Sequence, residues 1–221
     1  MKEKVKWINF EGEKRLFTLN LAKGVRVYDE RLVNYKREEY RLWDPFRSKL
    51  SAAIYKGLKV PLKEGYKVLY LGASTGTTLS HVSDIIGEKG MVYAVEVSAR
   101  VARELLDKVV KFRKNVIPII EDGRYPDKYG FVFGKVDLVY CDIAQPDQTE
   151  IAIMNCKKYL KEKGSLLLAV KARSIDAVKE PKEVYKDEVK KLKKNGFVVK
   201  EILDLEPYDR DHIMVHAIYS G

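Results

Sequence analysis

Cysteine and histidine are scarce in this chain: two cysteines, Cys141 and Cys156, and three histidines, at positions 81, 212 and 216, occur in 221 residues. The cysteines form no C-x-x-C pair and the histidines have no metal-ligand spacing, which argues against a disulfide framework, a structural zinc or any other metal site. No run approaches about eighteen uninterrupted apolar residues, and the N-terminal stretch lacks the apolar centre of a signal peptide. The expectation is a soluble, cytoplasmic protein with no membrane partner. Proline (7) and glycine (14) stand at ordinary levels, so collagen-like, low-complexity and disordered classes fail on composition. The phosphate loop G-x-x-x-x-G-K-[ST] and the dinucleotide fingerprint G-x-G-x-x-G are both missing.

What is present is enough apolar material, 46% of residues, for one domain of ordinary size with a small appendage. Lys and Arg (42) outnumber Asp and Glu (32) for a formal charge of +10, which favours a polyanionic partner such as nucleic acid. The excess is uneven. Residues 1–56 hold fourteen Lys and Arg against eight Asp and Glu, more than half the surplus in a quarter of the chain.

That quarter reads as a small antiparallel sheet. Short mixed runs (Val5 with Trp7, Ile8 with Phe10, residues 15–19, residues 25–28) are separated by Glu11-Gly12-Glu13 and Ala22-Lys23-Gly24, which suit hairpin turns. The step from Trp7 to Ile8 breaks strict alternation and suggests a bulge or register change. Asp44 as N-cap and Pro45 at the first helical position predict a helix with Phe46, Leu50, Ala53 and Ile54 on one face and Lys49 on its flank. So small a sheet is expected to lean on the larger part, giving a division into 1–56, a β domain plus a first helix, and 57–221.

From residue 66 the pattern becomes strand, loop, helix, repeated. Runs at 67–71, 91–96, 116–120, 136–140 and 165–170 are almost continuously apolar, as parallel strands buried on both faces require. Helices are expected after Ser98, with Val101, Leu105, Val109 and Phe112 in register, after Asp147, and over 182–194. The lysines of 182–194 alternate with Glu183, Asp187 and Glu188 and read as a salt-bridged, solvated face. Strands at 196–203 and 212–218 lie too close for a helical crossover, so the last should run antiparallel. The fold class is α/β: a Rossmann-like, seven-stranded, mostly parallel sheet with one reversed strand, preceded by the small antiparallel unit.

The first strand of this sheet ends in a glycine turn, Gly72-Ala73-Ser74-Thr75-Gly76, that opens a helix. Its backbone N–H groups would face a ligand beyond the strand ends. Three acids follow at successive strand ends. Glu96 can accept hydrogen bonds from two ribose hydroxyls, the carboxylate of Asp122 beside Glu121 can take an exocyclic amine, and Asp142 ends the fourth strand. An adenosine site ringed by acids suits a cationic sulfonium cofactor better than a triphosphate. Cys141, inside a buried strand, is expected to be inert.

The stretches 41–50 (RLWDPFRSKL), 72–78 (GASTGTT), 141–147 (CDIAQPD), 170–176 (VKARSID) and 205–212 (LEPYDRDH) resemble fibrillarin, and the resemblance spans essentially the whole chain. Fibrillarin is the S-adenosylmethionine-dependent 2'-O-methyltransferase family of box C/D RNA-protein particles. Without the Gly/Arg-rich tail of eukaryotic members, the sequence is similar to the archaeal form. The resemblance implies cofactor contacts at Gly72, Ala73, Thr77, Thr78, Glu96, Val97, Asp122, Gly123, Asp142, Ile143, Ala144 and Gln145. Val97 replaces a common aromatic and Gly123 an alanine. It further implies a catalytic set of Lys49, Asp142 and Lys171 with His212. A lysine among cations in a partly dry pocket would have its pKa depressed enough to act as base, with Asp142 positioning it. The implied partners are a box C/D guide RNA, target rRNA and tRNA, a Nop-domain scaffold protein and a kink-turn-binding ribosomal-type protein. A small-molecule O-methyltransferase and a non-catalytic particle subunit are the alternatives on the same fold.

Overall fold

The computed structural model describes residues 4–130 and 134–221. The N-terminal strands β1 (Val5–Phe10), β2 (Glu13–Leu19), β3 (Leu32–Tyr35) and β4 (Glu38–Leu42) form an antiparallel sheet in the order β1-β2-β4-β3. Helix α1 (Lys49–Tyr55) leads into β5 (Lys67–Leu71), α2 (Thr77–Ile86), β6 (Met91–Glu96), α3 (Ala99–Lys108), β7 (Val116–Ile120), β8 (Val136–Cys141) and α4 (Gln148–Tyr159). The chain continues through β9 (Leu160–Lys171), α5 (Ala172–Ile175), α6 (Pro181–Lys194), β10 (Phe197–Asp204) and β11 (His212–Tyr219). The second sheet has the order β10-β11-β9-β8-β5-β6-β7. β5 through β9 pair in parallel, and β11 runs antiparallel to both β9 and β10. All seven expected strands are present, and the last is reversed. Strand order turns around at β5, so the crevice beyond the ends of β5, β6 and β8 is where a ligand of such a sheet belongs.

Four local expectations are corrected. Residues 25–28 form no strand, because their backbone donors are taken locally: Val25 N turns back to Ala22 O at 3.0 Å, and the Glu30 carboxylate accepts from Val27 N at 3.0 Å and Tyr28 N at 2.8 Å. The third and fourth strands lie later, joined by a turn with Lys36 and Arg37 at positive φ. The first strand carries no bulge. Trp7 faces Leu16 and Ile8 faces Arg15 in an unbroken ladder, since both faces of the sheet have apolar partners: Trp7 meets Tyr55 edge-on, and Ile8 packs with Phe17 and Tyr40. Asp44 caps only a turn, accepting from Phe46 N at 2.8 Å, while Ser48 is the N-cap of α1 and Phe46 stays 66% exposed. Helix α3 ends at Lys108, before Val109 and Phe112. There the chain tightens into a 3-10 turn that leads Arg113 into the interior.

That interior is polar at one place. Arg41 of β4, wholly buried, donates to Glu30 at 2.6 Å, to Asp84 of α2 at 2.7 Å and to Ser80 Oγ at 2.9 Å. Arg113 lies 3.3 Å from the other oxygen of Asp84. Two guanidiniums and two carboxylates cancel, as burial demands. Thr18 Oγ1 gives its one hydrogen to Asp84 and lies 2.7 Å from His81 Nδ1, so His81 Nδ1 carries the proton it shares with Thr18. His81 Nε2 lies 2.7 Å from the Tyr28 hydroxyl, whose single hydrogen also has the Leu42 carbonyl oxygen within reach at 3.0 Å. Burial, with the two guanidiniums, holds His81 well below the usual histidine range, and it is neutral. Trp43 stacks on its ring at 4.8 Å. One apolar core extends from Leu16 and Trp43 through α1 and α2 into the large sheet.

Asp84→Ala strips both guanidiniums of their shared partner and should cost about 3–5 kcal/mol, read as a lower urea midpoint. A second measurement concerns acid. Burial would raise the Glu30 carboxyl, but Arg41 and the Tyr28 N–H outweigh it and hold it below the usual 4.5. The folded state therefore binds this proton less tightly than the unfolded one, and the stabilisation is complete above that value and lost as pH falls through the lower folded one. The stability gap between parent and Glu30→Gln should be widest near neutrality and shrink below about pH 4.5.

Candidate active site

The crevice is shaped by glycines. Gly72, just past β5, has φ +82°, and a Cβ there would lie 2.7 Å from the Asp142 carbonyl oxygen. The strand ends of β5 and β8 thus touch through a position only glycine fills. Gly72 N and Ala73 N both donate to Val95 O at 3.0 Å, bending the loop over β6. Gly76, at φ +93°, opens α2, and a Cβ would meet Val109 at 2.5 Å and Leu105 at 2.8 Å. Helix α3 packs directly on this loop.

Gly72, Glu96, Val97, Asp122, Gly123, Ile143 and Gln145 line one cavity with Leu71, Val95, Glu121, Arg124 and Ile151. Glu96 already holds the backbone around it: Oε2 accepts from Ser74 N at 2.8 Å and Oε1 from Ser98 N at 2.9 Å. Each oxygen keeps acceptor capacity, and the residue lines the cavity, which suits the hydroxyls of a ribose. Val97 is 60% exposed at the rim. Ala73, Thr77, Thr78, Asp142 and Ala144 do not line this cavity. Ala73 is buried and Ala144 exposed; Thr77 faces a neighbouring cleft; Thr78 is buried, hydrogen-bonded to Ser48 at 2.9 Å.

Arg124 escaped the sequence reading. It donates to both oxygens of Asp147 at 2.8 Å, to Gln145 at 3.0 Å and to Asp122 at 3.3 Å, clasping the loop after β7 to the loop after β8. Its hydrogen bonds hold the Asp147 carboxyl below the usual range.

The four expected catalytic residues converge beside the cavity. Lys171 Nζ lies 2.8 Å from Asp142 Oδ1 and 3.1 Å from the Asp142 carbonyl. Lys49 Nζ lies 3.4 Å from the same Oδ1. His212 stands opposite Lys171 in the β9/β11 register. It reaches the cluster through another residue the sequence reading missed, Asp209, whose Oδ1 is 3.1 Å from His212 Nδ1 and whose Oδ2 is 3.4 Å from Lys49 Nζ. Its signal was present in the i,i+3 spacing to His212, but three acids share that loop.

Lys49 is not a lysine of depressed pKa. Burial pushes its pKa down, yet Asp142 and Asp209, by charge and hydrogen bonding, outweigh that and hold it above the usual lysine value. As it stands here, Lys49 is a cation and a hydrogen-bond donor. Asp209 is correspondingly held low: burial opposes ionisation, but His212 and Lys49 favour it more. Cys141, as expected, is no nucleophile, since burial pushes its thiol up to about 12.

Lys49 owes its place to a relay from the buried cluster. Trp43, stacked on His81, donates Nε1 to Ser48 Oγ at 2.9 Å, and Ser48 caps the helix whose first residue is Lys49.

The family model described as fibrillarin matches residues 2–221 of this chain. A fibrillarin-like rRNA/tRNA 2'-O-methyltransferase of Saccharolobus islandicus is 54% identical over 212 residues, 96% of this chain and 91% of that protein. The crystal structure of Aeropyrum pernix fibrillarin with natively bound S-adenosyl-L-methionine is similar at TM-score 0.90 and 49% identity, covering 97% of this chain and 94% of that one. A fibrillarin/Nop5p complex is similar at TM-score 0.89 and 42% identity, covering 99% and 98%.

Glu96→Ala should weaken binding of S-adenosylmethionine by about 1–3 kcal/mol, the value of a hydrogen bond to a charged group, in a calorimetric titration of the purified chain. An affinity equal to the parent's would remove Glu96 from the ribose site.

Proposed function

The chain belongs to the fibrillarin family, and from that premise we propose that it is an RNA methyltransferase that moves the methyl group of S-adenosylmethionine to ribose 2'-hydroxyls of rRNA and tRNA. The observation that carries the reading is the Lys49–Asp142–Lys171 cluster at the edge of an acid-lined cavity, with Asp142 next to the glycine turn.

The donor set fits the cofactor. Glu96 and Asp122 offer carboxylates to ribose hydroxyls and an adenine amine, the Gly72 turn leaves no side chain in the way, and Ile143 and Ile151 give the cavity apolar wall. When bound, S-adenosylmethionine supplies a methyl group made electrophilic by a sulfonium. The protein's own task is then to orient a ribose hydroxyl and receive its proton. Lys49 and Lys171 both bring their ammonium groups to Asp142 Oδ1, and their charges favour the alkoxide character that the hydroxyl gains as it attacks. Asp142 is the acceptor in the cluster as it stands. Lys49 can become a proton acceptor only when a further positive charge enters beside it and opposes the two carboxylates. Asp209 and His212 hold Lys49 in line. Much of the rate then comes from geometry.

The two parts divide the work: residues 1–56 deliver Lys49, and residues 57–221 supply the cavity, Asp142, Lys171 and His212. The partners we propose are a Nop-domain scaffold, as in the related fibrillarin/Nop5p complex, a box C/D guide RNA with its target, and a kink-turn-binding ribosomal-type protein. Specificity by guide pairing fits a chain in which no separate RNA-reading module stands apart from the two sheets among the described residues.

In a particle reconstituted with scaffold and guide RNA, labelled S-adenosylmethionine should yield an alkali-resistant linkage at the guided nucleotide. Asp142→Asn should lower turnover at least about a hundredfold, the low end for a proton-transfer group, with a smaller effect on cofactor affinity. Normal turnover in that variant would dismiss Asp142 as acceptor. Efficient, sequence-selective methylation by the chain alone would dismiss the guide-dependent reading.

A further inference from the structure

Next to the cofactor cavity, on the side of the N-terminal sheet, lies a second and wider cleft of about 630 Å³. Its walls are the loop 26–31, the turn 44–47 and the glycine loop at Thr75 and Thr77. Arg26, Arg31 and Arg47 stand around it, all exposed, and among the described residues none of them pairs with a carboxylate. Lys108 is engaged with Glu104 at 2.8 Å. Of the acids in the wall, Glu30 is neutralised by Arg41, Asp44 spends one oxygen on Phe46 N, and Asp29 is exposed. The cleft is therefore positive overall, with guanidiniums in excess.

It is also a built cleft. The loop 26–31 is fastened from beneath by Glu30, which takes the N–H groups of Val27 and Tyr28, and by Tyr28, whose hydroxyl reaches His81 at 2.7 Å. Arg47 lies over the Tyr28 ring with its central carbon 5.7 Å from the centroid, an arrangement that leaves the N–H edge of a guanidinium free. Two positions along the chain from Arg47 is Lys49, and the far wall is the loop that opens α2. Its wall residues Arg47 and Thr77 directly precede Ser48 and Thr78, which hydrogen-bond to each other at 2.9 Å, so the cleft adjoins the start of the helix that carries Lys49.

We propose that this cleft holds the phosphodiester backbone of the target RNA strand beside the nucleotide being methylated, with Arg26, Arg31 and Arg47 each meeting a phosphate. The proposal rests on the RNA methyltransferase reading above. A planar fork of N–H donors matches phosphate oxygens in a way a lysine does not. Contacts of this kind set the position of a strand without reading its sequence, which is the task left to the enzyme when a guide selects the nucleotide. The three arginines are dispersed in sequence, and only the folded loop 26–31 against the turn 44–47 gathers them.

The test uses the variant Arg26→Ala/Arg31→Ala/Arg47→Ala, and Arg26→Ala and Arg31→Ala singly should the triple fail to fold. In the complete particle, KM for target RNA should rise about tenfold or more, while cofactor affinity and kcat at saturating RNA stay within about twofold of the parent. In direct titration of the chain with a single-stranded RNA oligonucleotide, the plot of log affinity against log salt should flatten by about 0.7 for each arginine removed. A parent-like KM and salt slope in the variant would overturn the cleft assignment and leave the enzyme reading intact. A parent particle that transfers no methyl group to RNA would sink the enzyme reading, and the titration would still decide the cleft. A variant that keeps its RNA dependence but loses the scaffold protein would give the cleft to a protein partner and overturn the proposal.

Discussion

A guanidinium and a carboxylate taken out of water must meet at close range, and Arg41 meets Asp84 across the boundary between the N-terminal sheet and α2. Everything near them follows from that requirement. One pair does not saturate the donors of Arg41 or the acceptors of Asp84, so Glu30, Arg113, Ser80 and Thr18 complete the shell. Glu30 in turn bends the chain at Val27 and Tyr28 away from a strand. Histidine 81 lies against two guanidiniums, stays neutral, and offers its face to Trp43. From Trp43 the constraint passes to Ser48 and the start of α1. A contact far from any ligand thereby decides where the Lys49 ammonium stands, and an error of an ångström there is costly for a reaction run on alignment.

The large sheet was legible in the sequence because each of its parallel strands is buried on both faces, and continuous runs such as 67–71 and 165–170 have few other uses. The reversal of β11 followed from the short connection after β10. The acids at strand ends were legible for the same reason: once the strands are placed, Glu96, Asp122 and Asp142 must lie at one edge. What escaped depends on partners distant in sequence. Residues 25–28 look like a strand until Glu30 takes the N–H groups of Val27 and Tyr28, and Asp44 with Pro45 looks like a helix start until Trp43 draws Ser48 into the cap. Thr77 and Thr78 belong to the right loop but lie outside the cavity that Gly72, Glu96, Asp122 and Gln145 share. Arg124 and Asp209 carry charges that have many possible partners in a chain one-third charged, and only the folded loops select Asp147 for one and Lys49 for the other.

The same dependence explains the sign of the Lys49 shift. A lysine standing among cations in a partly dry pocket would have its pKa depressed. Local arrangement reverses it, since two carboxylates lie within 3.4 Å of one ammonium. The cluster of two lysines and two aspartates is balanced in formal charge, and each charge lies close to an opposite one, which is what lets it sit partly buried. Its response to an incoming cation or to a ribose hydroxyl is built into that balance.

Strand β11 follows β10 in the chain but lies between β10 and β9 in the sheet. During synthesis from the N-terminus, β9 is made well before its neighbour, so its open edge, with Leu166 to Val170 along it, waits for residues 212–219. An unpaired apolar edge is a template for pairing with other chains. The order of manufacture also means that Lys171 lacks its companion His212, and Lys49 lacks Asp209, until nearly the whole length described here has left the ribosome. A nascent chain could therefore shape a cofactor cavity before it could perform the chemistry, and its most adhesive stage falls in the same interval.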